Sequence, residues 1–516
     1  MYLVTAEEMR EMDRLTIDSF GLPGRLLMET AGRGATRFFL DMFPDCRGRR
    51  VGVVAGRGNN GGDGFVMARC LAEAGARVTI FLLAKKSQVG GDAAANLNLL
   101  PPLNIPVIEL PDADSFSRHL PSLRHQVIWI DAILGTGLKA EVKTYFKEVI
   151  AFINASGKPV FCVDIPSGLN ADTGQICGAC IQGNATATFG FSKIGQQAYP
   201  GAALTGKLKV VDIGIPKLIA DRVGPKQHLT TPAIAREGLM KRAPDAHKGS
   251  TGHLLVVGGS PGKTGAAAMT AVSALRAGAG LVTACIPESL NPVLETLTLE
   301  AMTCPLPDKG LGILCHTARE FLITQLHGKR CVALGPGLGT HPDTRDLLFE
   351  LLTEIEVPMV LDADALNCIA SRPELLTSLH VPVVLTPHPG EMARLTGTDT
   401  RTVQEDRISC ARKFAGTFRC HVVLKGAGTV VAHPDGTVYI NPTGNAGMAA
   451  GGMGDVLTGL IAGLIAQGAS VEAACRTGIY LHGGAADALA EKKGPCGFLA
   501  SEVMHRIPEV IRRLST

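Results

Sequence analysis

Residues 51–64 have the sequence V-G-V-V-A-G-R-G-N-N-G-G-D-G, an apolar run followed at once by a glycine-rich loop. Residues 65–72, F-V-M-A-R-C-L-A, are typical of a helix. A buried strand, a tight glycine loop and a helix in this order indicate a parallel α/β domain with a ligand crevice at the loop. The stretch therefore predicts both the fold of its domain and the position of a site.

The loop satisfies the G-x-G-x-x-G pattern of dinucleotide-binding domains from Gly56 to Gly61. Such domains also need an acidic side chain about 20 residues further on, but residues 84–87 are A-K-K-S. This argues against an NAD dehydrogenase. The amide oxygen of Asn60 suits a cation and the backbone N–H groups suit phosphate. The alternative is that Asn59 and Asp63 only cap the helix.

Apolar runs that alternate with helical segments predict two α/β domains of parallel strands covered by helices. A chain of 516 residues exceeds the usual reach of one hydrophobic core. A proline-rich segment separates the two series, so we predict domains at 1–222 and 223–516. The predicted strands are 51–55, 78–83, 127–131, 160–164 and 208–213 in the first domain, and 254–258, 281–286, 331–334, 359–362, 383–386 and 422–424 in the second.

Composition excludes several classes of function. A formal charge of +3 and an aromatic content of 4% give little support to nucleic-acid binding. The 14 cysteines are scattered, which suits reduced thiols and a cytoplasmic protein. Cys177 and Cys180 lack further ligands for zinc. The apolar stretch 456–466 is too short for the ~20 residues of a membrane span, and Thr5 with Glu8 predicts a helix capping box at the N-terminus.

Two further segments follow predicted strands. Residues 131–138 are D-A-I-L-G-T-G-L, and residues 164–169 are D-I-P-S-G-L. The carboxyl ends of parallel strands meet at one edge of a sheet, where ligand crevices lie. Three loops should therefore converge on one site.

The combination G-x-G-N-N-G-G-D-G, D-A-x-x-G-T-G-L and D-I-P-S-G-L resembles the NAD(P)H-hydrate epimerase domain, also called the YjeF N-terminal domain, over residues 1–216. The resemblance implies a potassium ion held by Asn60, Asp131 and Ser167, with Asp164 as the acid–base group. It implies substrate contacts from Asn59, Asn60, Gly61, Gly62, Asp63, Gly135, Thr136, Gly137, Leu138 and Asp164. Arg57 and the pair Lys139-Ala140 depart from the family pattern.

The implied substrate is a damaged cofactor in which water has added to the C5=C6 bond of the dihydronicotinamide ring. The hydroxyl on C6 then exists in R and S configurations. Because C6 is bonded to the ring nitrogen, the centre is a carbinolamine. A positioned carboxylate can therefore assist departure and return of the hydroxyl by proton transfer.

The second domain begins with L-L-V-V-G-G-S-P-G-K-T-G at residues 254–265, where a Walker A loop would need glycine in place of Val257. Nearer the C-terminus, residues 444–459 are G-N-A-G-M-A-A-G-G-M-G-D-V-L-T-G. Free N–H groups at this helix start can hold a phosphoryl group, and Asp455 is placed to accept a proton. Helix capping with tight packing is the alternative.

The Gly-Asp pair resembles the ribokinase-like superfamily. With G-P-G-L-G at 335–339, D-A-D-A-L-N at 362–367 and T-P-H-P-G-E at 386–391 it resembles the ADP-dependent NAD(P)H-hydrate dehydratase domain, from about residue 225 to the end. The resemblance implies hydrate contacts from Ala266, Gly337, His388 and Asp455. It implies ADP contacts from Lys425, Gly426, Ala427, Gly428, Thr429 and Gly454, with magnesium. His388 is alternatively a loop histidine placed for packing.

The resemblances together predict a Rossmann-like parallel-sheet domain followed by a ribokinase-like α/β domain, which epimerise NAD(P)H hydrate and dehydrate its S form with ADP. We expect a homo-oligomer with no nucleic-acid or membrane partner. One alternative is a small-molecule kinase of hydroxymethylpyrimidine or sugar type with a nucleotide-sensing first domain. Another is a binding protein, against which the intact Asn60, Asp131, Asp164 and Ser167 argue.

Overall fold

The computed structural model describes residues 1–138, 140–143 and 145–515. The contacts within the chain divide it into two compact units, Tyr2–Gln227 and His228–Thr516. The helix Lys217–Val223 covers residue 222 and lies wholly within the first unit.

The first unit alternates strands and helices along most of its length. Its strands are β1 Tyr2–Val4, β2 Arg50–Ala55, β3 Arg77–Leu82, β4 Val107–Glu109, β5 Ile128–Ala132, β6 Val160–Val163, β7 Ala185–Phe189, β8 Ser192–Lys193 and β9 Lys207–Val211. Its helices are α1 Ala6–Asp18, α2 Gly24–Met42, α3 Asn59–Glu73, α4 Gly91–Leu97, α5 Ala113–Arg118, α6 Leu120–Arg124, α7 Tyr145–Ala155, α8 Gly201–Thr205 and α9 Lys217–Val223.

The sheet of the first unit has the order β4-β3-β2-β5-β6-β7-β9, and its neighbouring strands are parallel. The chain steps outward from β2 in one direction and from β5 in the other. Ala55 at the end of β2 pairs with Ala132 at the end of β5, so the loops after these strands open side by side. This is the topological switch point at which open α/β sheets bind ligands.

Helix α3 packs closely on the sheet because its first turns carry glycine. A Cβ on Gly64 would lie 2.6 Å from the Cβ of Ala132, too close for any side chain. The absence of a side chain at Gly64 therefore lets the N-terminus of α3 reach the edge of β5. Most core side chains of α3, including Phe65 and Met67, are fully buried.

The second unit continues the alternation. Its strands are β10 Gln227–Leu229, β11 His253–Val257, β12 Leu281–Pro287, β13 Met302–Leu306, β14 Cys331–Leu334, β15 Met359–Leu361, β16 Val383–Leu385, β17 His421–Leu424, β18 Val430–Ala432 and β19 Val438–Ile440. Its helices are α10 Pro232–Arg236, α11 Thr264–Ala277, α12 Asn291–Leu297, α13 Arg319–Leu326, α14 Pro342–Glu354, α15 Asp364–Ile369, α16 Pro389–Thr396, α17 Thr400–Glu405, α18 Arg407–Phe418, α19 Met453–Ala466, α20 Val471–Lys493 and α21 Ala500–Ser515.

The sheet of the second unit runs β13-β12-β11-β14-β15-β16-β17, all parallel, and then turns antiparallel through β18 and β19. Its switch point lies between β11 and β14. Helix α19 is almost completely buried and packs against α11. This burial explains why residues 456–466 are apolar without forming a membrane span. Across the described ranges, no helix has the length and apolar composition that crossing a membrane requires.

The predicted parallel α/β architecture is confirmed in both units, and each predicted strand overlaps an observed one. The capping box of Thr5 and Glu8 at the start of α1 is also confirmed. The apolar runs did not predict β1, β4, β7, β8, β10, β13, β18 or β19. Six of these have only two or three residues, and β13 contains a proline and an exposed methionine. Such strands are held by their neighbours rather than by their own pattern.

Candidate active sites

A cavity of about 970 Å³ opens at the switch point of the first unit. Its walls come from the loops after β2 and β5, from the residue after β6, and from helix α1. Eight of the ten predicted substrate contacts line it: Asn59, Asn60, Asp63, Gly135, Thr136, Gly137, Leu138 and Asp164. Gly61 and Gly62 are buried in the first turn of α3.

The two departures from the family pattern, Arg57 and the pair Lys139-Ala140, both concern this cavity. Arg57 and Ala140 line the cavity, whereas Lys139 lies outside the described residues. Arg57 is exposed, so it brings a cationic side chain to the mouth of the site.

Asn60 is held by one atom of its side-chain amide and is free at the other. Its Nδ2 donates to the carbonyl of Leu134 at 3.0 Å. Its Oδ1 is buried and has no hydrogen-bond partner within the described chain. The N-cap position of α3 is Gly58, and no side chain caps this helix. Helix capping by Asn59 or Asp63 therefore does not account for the polar loop.

Asp131, at the end of β5, is completely buried beside Ser167. It accepts hydrogen bonds from the Ser167 backbone amide at 2.7 Å and from Ser167 Oγ at 2.5 Å. Burial raises the pKa of Asp131 to about 6, against the lowering effect of these bonds. The amide of Leu134 donates to Ser167 Oγ at 2.9 Å. Asn60 and Ser167 therefore both bond to Leu134, and Asp131 joins them through Ser167.

Asp164 follows β6 with a left-handed backbone, φ 63°. Its Oδ1 accepts a hydrogen bond from Lys193 Nζ at 2.5 Å, and from Thr188 Oγ1 and the Phe189 amide at 3.2 Å each. The Lys193 ammonium also donates to Thr188 Oγ1 at 2.9 Å and to the Phe189 carbonyl at 3.0 Å. The Lys193 side chain is only 1% exposed. Lys193 thus fixes the Asp164 carboxylate at the cavity wall, a role that the sequence did not predict.

Asp63 contributes a second carboxyl to this wall. Burial raises its pKa well above the usual value, and the negative charges of Asp164 and Asp13 act in the same direction. Asp63 therefore favours its protonated form, in which a carboxyl group can donate a hydrogen bond.

In the second unit Asp455 lies in the first turn of α19, just after Gly452. Burial raises the pKa of Asp455 to about 7, the negative charge of Asp362 adds to the rise, and Lys425 opposes it. A carboxylate with this pKa can exchange a proton near neutral pH, as a general base requires.

Lys425 forms the centre of a buried polar network under the Gly-Asp pair. Its Nζ lies 2.7 Å from Asp362 Oδ1 and 3.8 Å from Glu391 Oε2. Thr458 Oγ1 donates to Asp362 Oδ2 at 2.7 Å. Although burial would raise the pKa of Asp362, the charge and hydrogen bond of Lys425 lower it below its usual value. Asp362 is therefore an ionised partner for Lys425.

The backbone of the predicted ADP loop, Lys425 to Thr429, is held by Arg407. The guanidinium donates to the carbonyls of Leu424 at 2.9 Å, Lys425 at 3.2 Å and Ala427 at 2.6 Å. Burial lowers the pKa of Arg407 to about 10. The structure also brings Gly454 to this loop, because a Cβ on Gly454 would lie 3.3 Å from Lys425 Nζ.

The four predicted hydrate contacts come from four places in the second unit: Ala266 from α11, Gly337 from the loop after β14, His388 from the N-cap of α16 and Asp455 from α19. Gly337 lies against Ala266, since a Cβ on Gly337 would be 3.2 Å from the Cβ of Ala266. His388 is the N-cap of α16, and its Nδ1 accepts from the Gly390 amide at 3.0 Å. Burial and then the charge of Lys425 lower the pKa of His388. A neutral His388 with its proton on Nε2 follows from this bonding. Ligand contact by His388 stays a prediction.

Two residues of the second site were missed. Arg407 lies on α18, and Thr458 lies one turn beyond Asp455 in α19. Arg407 stands outside the quoted motifs, and Thr458 stands inside the glycine-rich segment 444–459 without any feature that singled it out. Lys193 of the first site lies 29 residues after Asp164, and nothing in the sequence between them indicated that the two side chains meet.

Comparison with known proteins gives one family match in each of the two units. Residues 24–195 match the family described as YjeF-related protein N-terminus, and residues 254–509 match the family described as NAD(P)H-hydrate dehydratase. A relative from Moorella thermoacetica, named bifunctional NAD(P)H-hydrate repair enzyme Nnr, is 45% identical over 515 residues, covering 100% of this chain and 97% of the relative. The chain belongs to the bifunctional NAD(P)H-hydrate repair enzyme family. The family resemblance predicted from the motifs is thereby confirmed.

Other members of the bifunctional NAD(P)H-hydrate repair enzyme family match along the same length. The relative of that name from Escherichia coli is 35% identical over 512 residues, covering 98% of this chain and 93% of the relative. Among solved structures, a ribokinase-like superfamily protein from Enterococcus faecalis V583 matches with a TM-score of 0.50 at 25% identity, covering 56% of this chain and 96% of that chain. The ribokinase-like fold predicted for the second domain is confirmed.

Proposed function

We propose that the first unit interconverts the R and S forms of NAD(P)H hydrate, and that the second unit converts the S form to NAD(P)H with ADP, giving AMP and phosphate. The observation that carries the proposal is the full-length match to a bifunctional repair enzyme at 45% identity. The two acid–base candidates lie where the proposed chemistry needs them. Asp164 directly follows strand β6, and Asp455 lies in the first turn of helix α19.

Epimerisation at C6 requires the hydroxyl to leave and return on the other face of the ring. A proton passes from an acid to the hydroxyl oxygen, and the C6–O bond breaks to release water. The lone pair of the ring nitrogen forms a double bond to C6 meanwhile. Water then adds to the opposite face and gives its proton to a carboxylate, for which Asp164 at the cavity wall is placed.

A potassium ion fits the donor set behind this cavity. The buried Oδ1 of Asn60 has no partner within the described chain, while its Nδ2 and Ser167 Oγ both bond to Leu134 and Ser167 Oγ donates to the Asp131 carboxylate. Hard cations prefer such oxygen ligands. Asn60, Asp131 and Ser167 would hold the ion, which supplies a positive charge that offsets the buried carboxylate. These side chains tie together the loops after β2, β5 and β6.

Dehydration in the second unit needs a better leaving group than hydroxide. Asp455 would accept the proton of the C6 hydroxyl while the terminal phosphoryl group of ADP is transferred to that oxygen, leaving AMP. The C6–O bond then breaks with its electron pair going to phosphate. The electron pair of the C5–H bond forms the C5=C6 bond, and the C5 proton passes to water. Lys425 to Thr429 and Gly454 would hold ADP, and Ala266, Gly337 and His388 would contact the hydrate.

Magnesium would be held mainly by the nucleotide. Among the residues that the structure describes, no group of three or more His, Cys, Asp or Glu side chains could hold a metal ion. Magnesium bound to phosphates usually needs only one or two protein carboxylates, and Glu391 lies beside Lys425 at the ADP loop. The ion supplies charge neutralisation during phosphoryl transfer.

The decisive test is conversion of a mixture of R and S hydrate by the purified chain with either ADP or ATP, followed by recovery of absorbance at the reduced nicotinamide band. We expect complete conversion, with AMP and phosphate formed from ADP. Retention of the R form would contradict the epimerase half. Phosphorylation of a hydroxymethylpyrimidine or a sugar by ATP, without hydrate turnover, would instead support the kinase alternative.

We also propose that the chain works as a homo-oligomer in a reducing compartment such as the cytoplasm. All 14 cysteines are free, and most are buried, which supports the reducing setting. Light scattering of the purified protein measures the oligomeric state directly, and a mass equal to one chain would contradict this part of the proposal.

A further inference from the structure

Asp13 is a cavity residue that the predicted site did not include. It lies on helix α1 and lines the cavity of the first unit together with Asp63, Asp164 and Lys193. The side chains of Asp13, Asp63 and Asp164 interact electrostatically with one another and with Lys193. One ammonium thus faces a group of three carboxyls, so the group retains protons that it can exchange.

Asp13 is the carboxyl of this group with an unused oxygen. Its Oδ1 is buried and has no hydrogen-bond partner in the described part of the chain. A buried polar atom without a partner is unfavourable in the free protein. It is expected where a ligand supplies the missing partner. Burial raises the pKa of Asp13 to about 6, while Lys193 lowers it and Asp164 raises it.

Asp164 is held differently. Its Oδ1 accepts from Lys193, Thr188 and Phe189, all of which are donors. These three donors fix Oδ1 of Asp164 at one place on the cavity wall. Inversion at C6 nevertheless requires proton donation to the leaving hydroxyl on one face and proton acceptance from the entering water on the other.

We propose that Asp13 is the second acid–base group of the epimerase and acts on the face of the nicotinamide ring opposite to Asp164. This inference rests on the proposed epimerase function. The two carboxyls reach the cavity from different elements, Asp13 from α1 and Asp164 from the end of β6. A ring bound between them would present one face to each.

The step consumes and releases the same number of protons. In one direction Asp13 gives its proton to the C6 hydroxyl, the C6–O bond breaks and water leaves. The nitrogen lone pair forms the N=C6 bond. A second water then bonds to C6, the π pair returns to nitrogen, and Asp164 takes the proton. The reverse direction starts from the state in which Asp164 is protonated and Asp13 is ionised.

The rate must then depend on pH through the pair rather than through one residue. The charged groups that face Asp13 are Lys193 of β8, Asp63 of α3 and Asp164 after β6. On helix α9, which packs on α1, Arg222 acts on Glu11. A bell-shaped rate profile is expected for the wild type, and Asp13→Asn should lose one of its two limbs.

The experiment compares Asp13→Asn with Asp18→Asn, an exposed carboxyl at the end of the same helix. Epimerisation is measured in both directions with pure R or S hydrate. We expect about a 100-fold loss of kcat in Asp13→Asn with KM changed less than about threefold, the usual scale of acid–base catalysis. Asp18→Asn should match the wild type. Dehydration of pure S hydrate by the same preparations verifies the active chain concentration.

Three outcomes would overturn the inference while leaving the epimerase proposal intact. These are a wild-type kcat in Asp13→Asn, an effect confined to KM, and an unchanged bell-shaped profile. If Asp13→Asn does not fold, the matched pair Asp13→Glu and Asp13→Gln replaces it, and activity must appear only in the glutamate variant. Failure of the wild type to epimerise would instead reject the proposed function itself.

Discussion

The two units share a strand order, but the carboxylates proposed for acid–base catalysis have different surroundings in the two units. Asp164 is ion-paired with Lys193 at 2.5 Å. Asp455 has no ion-pair partner among the described residues, because the nearby Lys425 is paired with Asp362 at 2.7 Å. The same sheet topology thus supports a carboxylate that is ion-paired with a buried lysine in one unit and a carboxylate with a pKa of about 7 in the other. Side-chain partners, rather than the fold, set the chemistry.

The strongest test of this difference is Asp455→Asn. Removing the base should lower ADP-dependent dehydration of S hydrate by about 10³-fold, within the range of general-base effects. Epimerisation by the first unit should not change. The control is Asp346→Asn, an exposed carboxyl on α14. Normal dehydration by Asp455→Asn would reject the base role.

The matching change in the first unit is Asp164→Asn, for which we expect about a 10²-fold loss of epimerisation. Asparagine tolerates the left-handed backbone at this position better than alanine does, so the variant isolates the charge. Given a mixture of epimers, it should rapidly convert only the S fraction. Rapid conversion of the whole mixture, measured by reduced-nicotinamide absorbance, would show that Asp164 is dispensable.

The pH profile sharpens the comparison further. Because the pKa of Asp455 is raised to about 7, its base form is present above that pH and lost below it. Dehydration should therefore rise about tenfold between pH 6 and pH 8, as one titrating group requires. The measurement is the initial rate with S hydrate at saturating ADP. A flat profile over this range would place the base elsewhere.

The smallest expected effect concerns potassium. In the wild type, the unfolding temperature of the first unit should be about 2–4 °C higher in a potassium buffer than in a sodium buffer. This shift is equivalent to roughly 1 kcal/mol. Asn60→Ala should abolish this response because it removes the unpartnered amide oxygen. Asn98→Ala, at an exposed position after α4, should keep it. A full potassium response in Asn60→Ala would move the ion away from Asn60.

The sequence predicted the features that depend on local pattern. Long apolar runs located the central strands, and the loops after them brought Asn60, Asp131, Asp164 and Ser167 to one edge because parallel strands align their carboxyl ends. The family resemblance supplied the chemistry, which no spacing could have given.

The missed features are contacts between distant residues. Lys193 meets Asp164 across 29 positions, and Thr458 meets Asp362 across 96. Periodicity shows that a side chain is buried but does not identify its partner. The same limit applies to Asp13, because one carboxylate on an amphipathic helix is usually solvated, and only the packed structure turns it toward the cavity.

Arg407 has a consequence for the ADP binding proposed at this loop. Its guanidinium donates to the carbonyl oxygens of Leu424, Lys425 and Ala427 and so sets a positive charge against the negative ends of those peptide dipoles. A polyphosphate bound at the loop would then meet less electrostatic repulsion from the main chain.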